Sequence, residues 1–163
     1  MKTIPTLLFC VVLFFPGIVN AQSKTNDIAV TELPASVSQV LNKYVEYLNI
    51  ASLDECAEKF TELAGGGLVN EDGKTLRKDI KGFSLKKDHS DIKFYKQPVV
   101  VTRVNKTYSG GQGFGASAIK GQVYKIWIAK KDGVAGLPAP VSIMVPEGHP
   151  TITTPKVVNI GSF

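Results

Sequence analysis

His89 and His149 are the two imidazoles of this chain, and each has carboxylates close by: Asp88 and Asp91 beside the first, Glu147 beside the second. Such groups could ligate a metal or move a proton. Zinc sites draw at least two ligands from one short helical or loop motif, however, and neither histidine has a second ligand of that kind at that spacing. No metal and no cofactor are therefore expected. Asp72, Asp91 and His149 stand as candidate general bases. Two glycine-rich stretches look like phosphate cradles and fail in detail. Gly73-Lys74-Thr75 ends like a phosphate-binding loop, but Leu68 stands where that motif needs its first glycine, and Glu71 and Asp72 would repel an anion. Gly111-Gln112-Gly113-Phe114-Gly115-Ala116 fits a loose dinucleotide fingerprint, yet it leads toward another strand, so phosphates would find no helix N-terminus there. It is expected to be a flexible hairpin loop, one that could lie over a pocket mouth. The sequon Asn105-Lys106-Thr107 matters only in a host that glycosylates.

The chain has 163 residues, room for one domain with a sizeable core. Residues 1–21 have the layout of a secretory leader. Lys2 supplies the charge, Leu7 to Phe15 the apolar run, Pro16-Gly17 the break, and Val19-Asn20-Ala21 the small residues before a cut. Cleavage is expected after Ala21, giving an exported, periplasmic or secreted protein with no membrane segment. Cys10 has no small residue beside it, which argues against a lipid anchor there. Cys56 is then the one cysteine left, so no intrachain disulfide is expected, and its place on an apolar stripe suits a buried small side chain. The formal charge of +5 falls to +4 with the loss of Lys2. That excess is scattered, without alternating basic and aromatic residues, which excludes a nucleic-acid surface.

Residues that could do chemistry need elements to position them. Residues 22–34 are polar and unpatterned and read as a loose arm. Ser36-Val37-Ser38-Gln39 and Ser52-Leu53-Asp54-Glu55 have the form of capping boxes, in which a serine hydroxyl and a Gln or Glu satisfy orphan backbone donors reciprocally. After them Val37, Val40, Leu41, Tyr44, Val45 and Leu48, then Leu53, Cys56, Ala57, Phe60 and Ala64, recur at three and four residues, predicting helices over residues 36–49 and 52–64. A short third helix is expected over residues 75–81, with Leu76, Ile80 and Phe83 inward and Gly82 ending it. Strands are expected over residues 92–95 and 99–104, interrupted at Pro98, then over 123–129, 141–145 and 157–160, with prolines and glycines marking the turns. The class is α+β: two or three N-terminal helices packed on a curved mixed or antiparallel sheet, in one domain over residues 35–163. On the central strand Tyr124, Ile126 and Ile128 would face the helices. Trp127 would lie on the outer face, either as a homodimer surface or under the proline-rich C-terminal segment.

Lys43-Tyr44-Val45-Glu46-Tyr47-Leu48-Asn49, followed by Ser52-Leu53-Asp54 and Phe60, resembles the opening of the nuclear transport factor 2-like superfamily, which includes ketosteroid isomerases and SnoaL-like cyclases. The resemblance covers residues 36–69 and implies a cone-shaped, cystatin-like roll with a pocket. It implies that Tyr44 matches an isomerase tyrosine that donates to a dienolate oxygen. It also implies that the general base falls at Leu68, which cannot carry a proton, and that the second oxyanion acid falls near Tyr124 or Lys125, where there is no aspartate. Tyr44 then reads as a packed tyrosine whose hydroxyl finds a partner.

The expected function is binding without catalysis: a small apolar ligand or a protein partner in a cone walled by Tyr44, Phe60, Leu68, Phe83, Tyr124 and Met144. A small isomerase or lyase with a non-standard base is one alternative, and an interaction module whose cone is filled by its own side chains is another. An isolated carboxylate or imidazole near Tyr44 in an open cavity would favour the enzyme, an apolar cavity the binding domain, and no cavity the interaction module.

Overall fold

The computed structural model describes residues 26–163; the expected leader and the first residues of the arm lie outside them. Helix α1 spans Ala35–Leu48 and buries Val37, Val40, Leu41, Tyr44, Val45 and Leu48, the stripe the periodicity predicts. Its start differs from expectation. Pro34 is the N-cap, and its carbonyl accepts from the N–H groups of Val37 and Ser38 at 3.0 Å each, so Ser36 lies inside the first turn and caps nothing. A proline with φ near −60° is already set for a helix start, which moves the boundary ahead of the serine. Helix α2, Leu53–Leu63, does begin at its capping serine: Ser52 Oγ accepts from the N–H of Glu55 at 3.4 Å. Replacing Ser52 by Ala should therefore cost about 0.5–1 kcal/mol, while Ser36→Ala should be silent. Urea midpoints of the two variants check this, and equal shifts in both would contradict the assignment. Cys56 sits buried on α2, and burial pushes its thiol up to about 11.

The third helical segment is longer than expected and lies elsewhere. A wide turn of π-helix, Ile80–Leu85, passes straight through Gly82 into α3, Lys86–Asp91, and ends in a 3-10 turn, Ile92–Phe94. The expected helix end at Gly82 and the expected strand over residues 92–95 are thus both overturned. No proline interrupts the chain until Pro98. The buried positions Leu85, Asp88 and Ile92 repeat with helical spacing, but the middle one is a carboxylate and so is invisible to an apolar pattern.

Five strands form one antiparallel sheet in sequence order: β1 Asp27–Ile28, β2 Val101–Gln112, β3 Ile119–Ile128, β4 Ala139–Pro146 and β5 Lys156–Asn159. The described part of the expected arm is thus not loose, since Asp27 pairs with Asn105 and Ile28 with Val104. β3 is central, with Tyr124 opposite Lys106 on one side and Ile143 on the other. Helix α1 packs against α2, β4 and β5, and the main core lies between these helices and the inner sheet face. A smaller apolar cluster, Ile119, Val123, Met144 and Val158, occupies the outer face and is covered in part by Ile152 of the proline-rich segment.

The glycine-rich connection between β2 and β3 is tied down where a flexible loop is expected. The Ala116 N–H donates to the Glu71 carbonyl at 2.9 Å, and Ser117 is buried with its hydroxyl bonded to Phe114 O at 2.7 Å. At Gly113, φ is +85° and a Cβ would stand 2.8 Å from the Gly66 backbone, so only glycine allows the two glycine turns to touch.

Candidate functional site

Tyr44, Phe60, Leu68 and Tyr124 are brought together in the main core, all buried. The Tyr44 and Phe60 rings lie 5.1 Å apart in a tilted arrangement, and Phe163 closes the other side of Tyr44 at 6.0 Å. Two of the six expected wall residues are elsewhere. Phe83 is 77% exposed, because the π-turn rotates it away from the sheet, and Met144 is buried in the outer-face cluster, since its register with Val123 puts both on the side away from the helices. Five surface clefts among the described residues are lined by other residues, and none of them includes Tyr44, Phe60, Leu68 or Tyr124 in its lining. These four residues are packed together in the core, each 6% exposed or less.

The chemistry in this interior belongs to Asp88, which stands in the sequence only as a neighbour of His89. Its Oδ2 accepts from the Tyr44 hydroxyl at 2.7 Å and from the Gly161 N–H at 2.7 Å, and its Oδ1 accepts from the Phe163 N–H at 2.9 Å. Burial raises the pKa of this carboxyl, and the three donors offset only part of that effect. The same burial, with Asp88 next in size, pushes the Tyr44 phenol well above its usual range. Each polar group is spent on another, so the pair fastens residues 161–163 to α3 and α1. Tyr44 is the packed, partnered tyrosine its environment suggests.

The remaining candidates stand apart and hold backbone. His89 meets the Ile50 carbonyl through Nε2 at 2.7 Å, tying α3 to the link between α1 and α2. His149 Nδ1 accepts from the N–H groups of Thr151 and Ile152 at 3.2 and 2.8 Å, which leaves the ring proton on Nε2 and organises the turn after β4. Asp72 caps its own turn, accepting from Lys74 N, Thr75 N and Thr75 Oγ1; these bonds, led by that from Lys74, lower its pKa while it stays in water. Asp91 lies within 3.5 Å of the Lys87 ammonium. The Tyr44 hydroxyl bonds Asp88 and none of these three candidate bases. Among the described residues, no group of three or more His, Cys, Asp or Glu side chains could hold a metal ion.

On the outer face Trp127 is half-buried between two cations, with the Arg103 guanidinium 4.5 Å and the Lys125 ammonium 5.2 Å from its ring centroid. Arg103 is itself held by Asp27 of β1 at 3.0 Å. The proline-rich segment covers the Met144 cluster instead, so the tryptophan is shielded by its own sheet neighbours.

One cleft brings exposed apolar side chains beside Tyr95, whose hydroxyl is buried without a partner among the described residues. It has a volume of about 550 Å³ and lies where the 3-10 turn at Ile92–Phe94 meets the β3–β4 connection. Burial, then Asp88 and Asp91, raise the pKa of this phenol, so it stays a donor. Comparison of the chain with protein-family models, with curated proteins and with solved structures found no match.

Proposed function

We propose that the chain is an exported, non-catalytic binding domain that meets its ligand or partner at its surface, its interior being closed. In this reading it is a filled variant of the cone-shaped nuclear transport factor 2-like architecture, and the α+β order of helices followed by an antiparallel meander is compatible with that architecture. The observation that carries the reading is the Tyr44–Asp88 pair: the one interior tyrosine placed for oxyanion chemistry donates at 2.7 Å to a buried carboxylate whose oxygens are already bonded to backbone. A general acid or base must be free to exchange a proton with substrate, and these groups are not. The surface, by contrast, offers apolar side chains in water beside clefts, the ordinary mark of a binding site.

Native mass spectrometry of the protein purified from its own source tests this. The expected spectrum shows the mass of a chain cut after Ala21, with a small molecule or a second polypeptide that is released on denaturation. A bare, uncut monomer would sink both the binding and the export.

A further inference from the structure

We propose that the end of the molecule formed by the β3–β4 connection and the turn at Ile92–Phe94 docks on a bilayer surface containing anionic phospholipid. The composition of the connection is the first observation. Connections run through water and are ordinarily polar, yet residues 133–138, Gly-Val-Ala-Gly-Leu-Pro, carry no polar side chain. Within them Leu137 is 86% exposed, more than any other large apolar side chain among the described residues. Phe94, 40% exposed, lines the same cleft as Val134 and Leu137. Its carbonyl accepts from the Lys131 N–H at 2.8 Å, so turn and connection form one surface.

The charge around these apolar groups points to an anionic partner. Lys87, Lys93, Lys96, Lys130 and Lys131 lie on the two segments or beside them, against Asp91 and Asp132. Both aspartates are already matched: Asp91 is 3.5 Å from the Lys87 ammonium and Asp132 is 2.8 Å from that of Lys96. That leaves Lys93, Lys130 and Lys131, none with a salt-bridge partner among the described residues. The Lys93 ammonium stands 5.1 Å from the Phe94 ring centroid, the pairing of apolar body and charged head that suits the boundary between hydrocarbon and water. A bilayer meets both features at once. Its hydrocarbon accepts Leu137 and Phe94 without a matching pocket for either, while its phosphates meet the three lysines.

This inference rests on the surface-binding reading, and its test separates the two. The chain from Gln22 onward is mixed with vesicles of phosphatidylcholine alone, or of one part phosphatidylglycerol to three of phosphatidylcholine, and the bound fraction is read by sedimentation. It should bind the anionic vesicles, bind the neutral ones far less, and come off as salt is raised. Leu137→Ser should lower partitioning about tenfold, because the leucine side chain no longer enters hydrocarbon. Lys131→Gln should lower it about threefold to fivefold, the share of one lysine at an anionic surface. Both side chains are exposed, so the melting temperatures should not move. Phe114→Ser, at an exposed phenylalanine on the connection at the other end of β3, should bind like the parent. The proposal is overturned if the anionic vesicles are not bound, or if the neutral ones are bound as well. It is equally overturned if Leu137→Ser binds like the parent, or if Phe114→Ser loses as much; competition by polyglutamate in that case would mark the lysines as a contact for an acidic protein. Absence of vesicle binding alongside a co-purified component in the native mass spectrum removes this surface and leaves the broader reading standing; absence of vesicle binding with a bare, uncut monomer removes both.

Discussion

Replacing Asp88 by Ala is expected to destabilise the protein by about 3–5 kcal/mol, because three donors that end on its carboxylate would be left without acceptors, each at roughly 1–3 kcal/mol before water intrudes. Those donors are the Tyr44 hydroxyl and the backbone N–H groups of Gly161 and Phe163. The C-terminal residues 161–163 should loosen with it, and with them the Phe163 ring that packs on Tyr44 and Tyr95. Tyr44→Phe removes one donor and keeps the other two, so its cost should be about 1–2 kcal/mol. Urea denaturation at neutral pH measures both, and a cost for Asp88→Ala no larger than that of Tyr44→Phe would refute the clamp. The sign of the pH dependence follows from the raised pKa. The folded state binds this proton more tightly than the unfolded chain, so the stability it contributes is fully present below the usual carboxylate range and is lost as pH rises through the folded pKa. The advantage of the parent over Asp88→Asn should accordingly be greatest in acid and shrink toward neutrality; an advantage that grows with pH would mean the three donors outweigh burial.

Phe60→Ala should cost about 3–5 kcal/mol, the usual penalty for removing a fully buried ring and leaving a cavity among neighbours that cannot all collapse. Those neighbours include Tyr44, whose ring stands 5.1 Å away. Phe83→Ala, at a phenylalanine 77% exposed on the π-turn, should change stability by no more than about 0.5 kcal/mol. Thermal denaturation of the pair separates a filled interior from an open cone walled by both rings. Similar, small losses in the two variants would favour the cone and remove the basis for placing binding at the surface.

Much of the helical half was legible because its signals are local. The stripe of α1 and the Ser52 cap of α2 are set by residues within one or two turns, and there the expectation and the fold agree. The same local logic misplaced the first cap, since Pro34 supplies a helix start that a Ser-x-x-Gln pattern obscures. It lost the third helix for a different reason. The buried face there passes through Asp88, and a carboxylate counts as surface in any hydropathy pattern; only its three donors, from residues 44, 161 and 163, make that position tolerable inside. Two of those donors are backbone groups, which carry no signature in side-chain identity.

The central place of β3 and the alternation of its two faces followed from the period of two, and Trp127 does lie opposite Ile126 and Ile128. Whether an inner face encloses a cavity depends on how several elements fill the space between them, and that is decided by tertiary packing. Of the six expected wall residues, Tyr44, Phe60, Leu68 and Tyr124 share the main core, while Met144 fell to the other face by its pairing with Val123, and Phe83 was carried outward by a π-turn. Composition and periodicity thus determined the class, the principal helices and the inward faces of α1, α2 and β3. The tertiary structure alone decided that Tyr44, Phe60, Leu68 and Tyr124 pack in one core, that Asp88 bonds Tyr44, Gly161 and Phe163, and that the Tyr95 hydroxyl lies buried without a partner among the described residues, because each of these depends on groups brought together from distant parts of the chain.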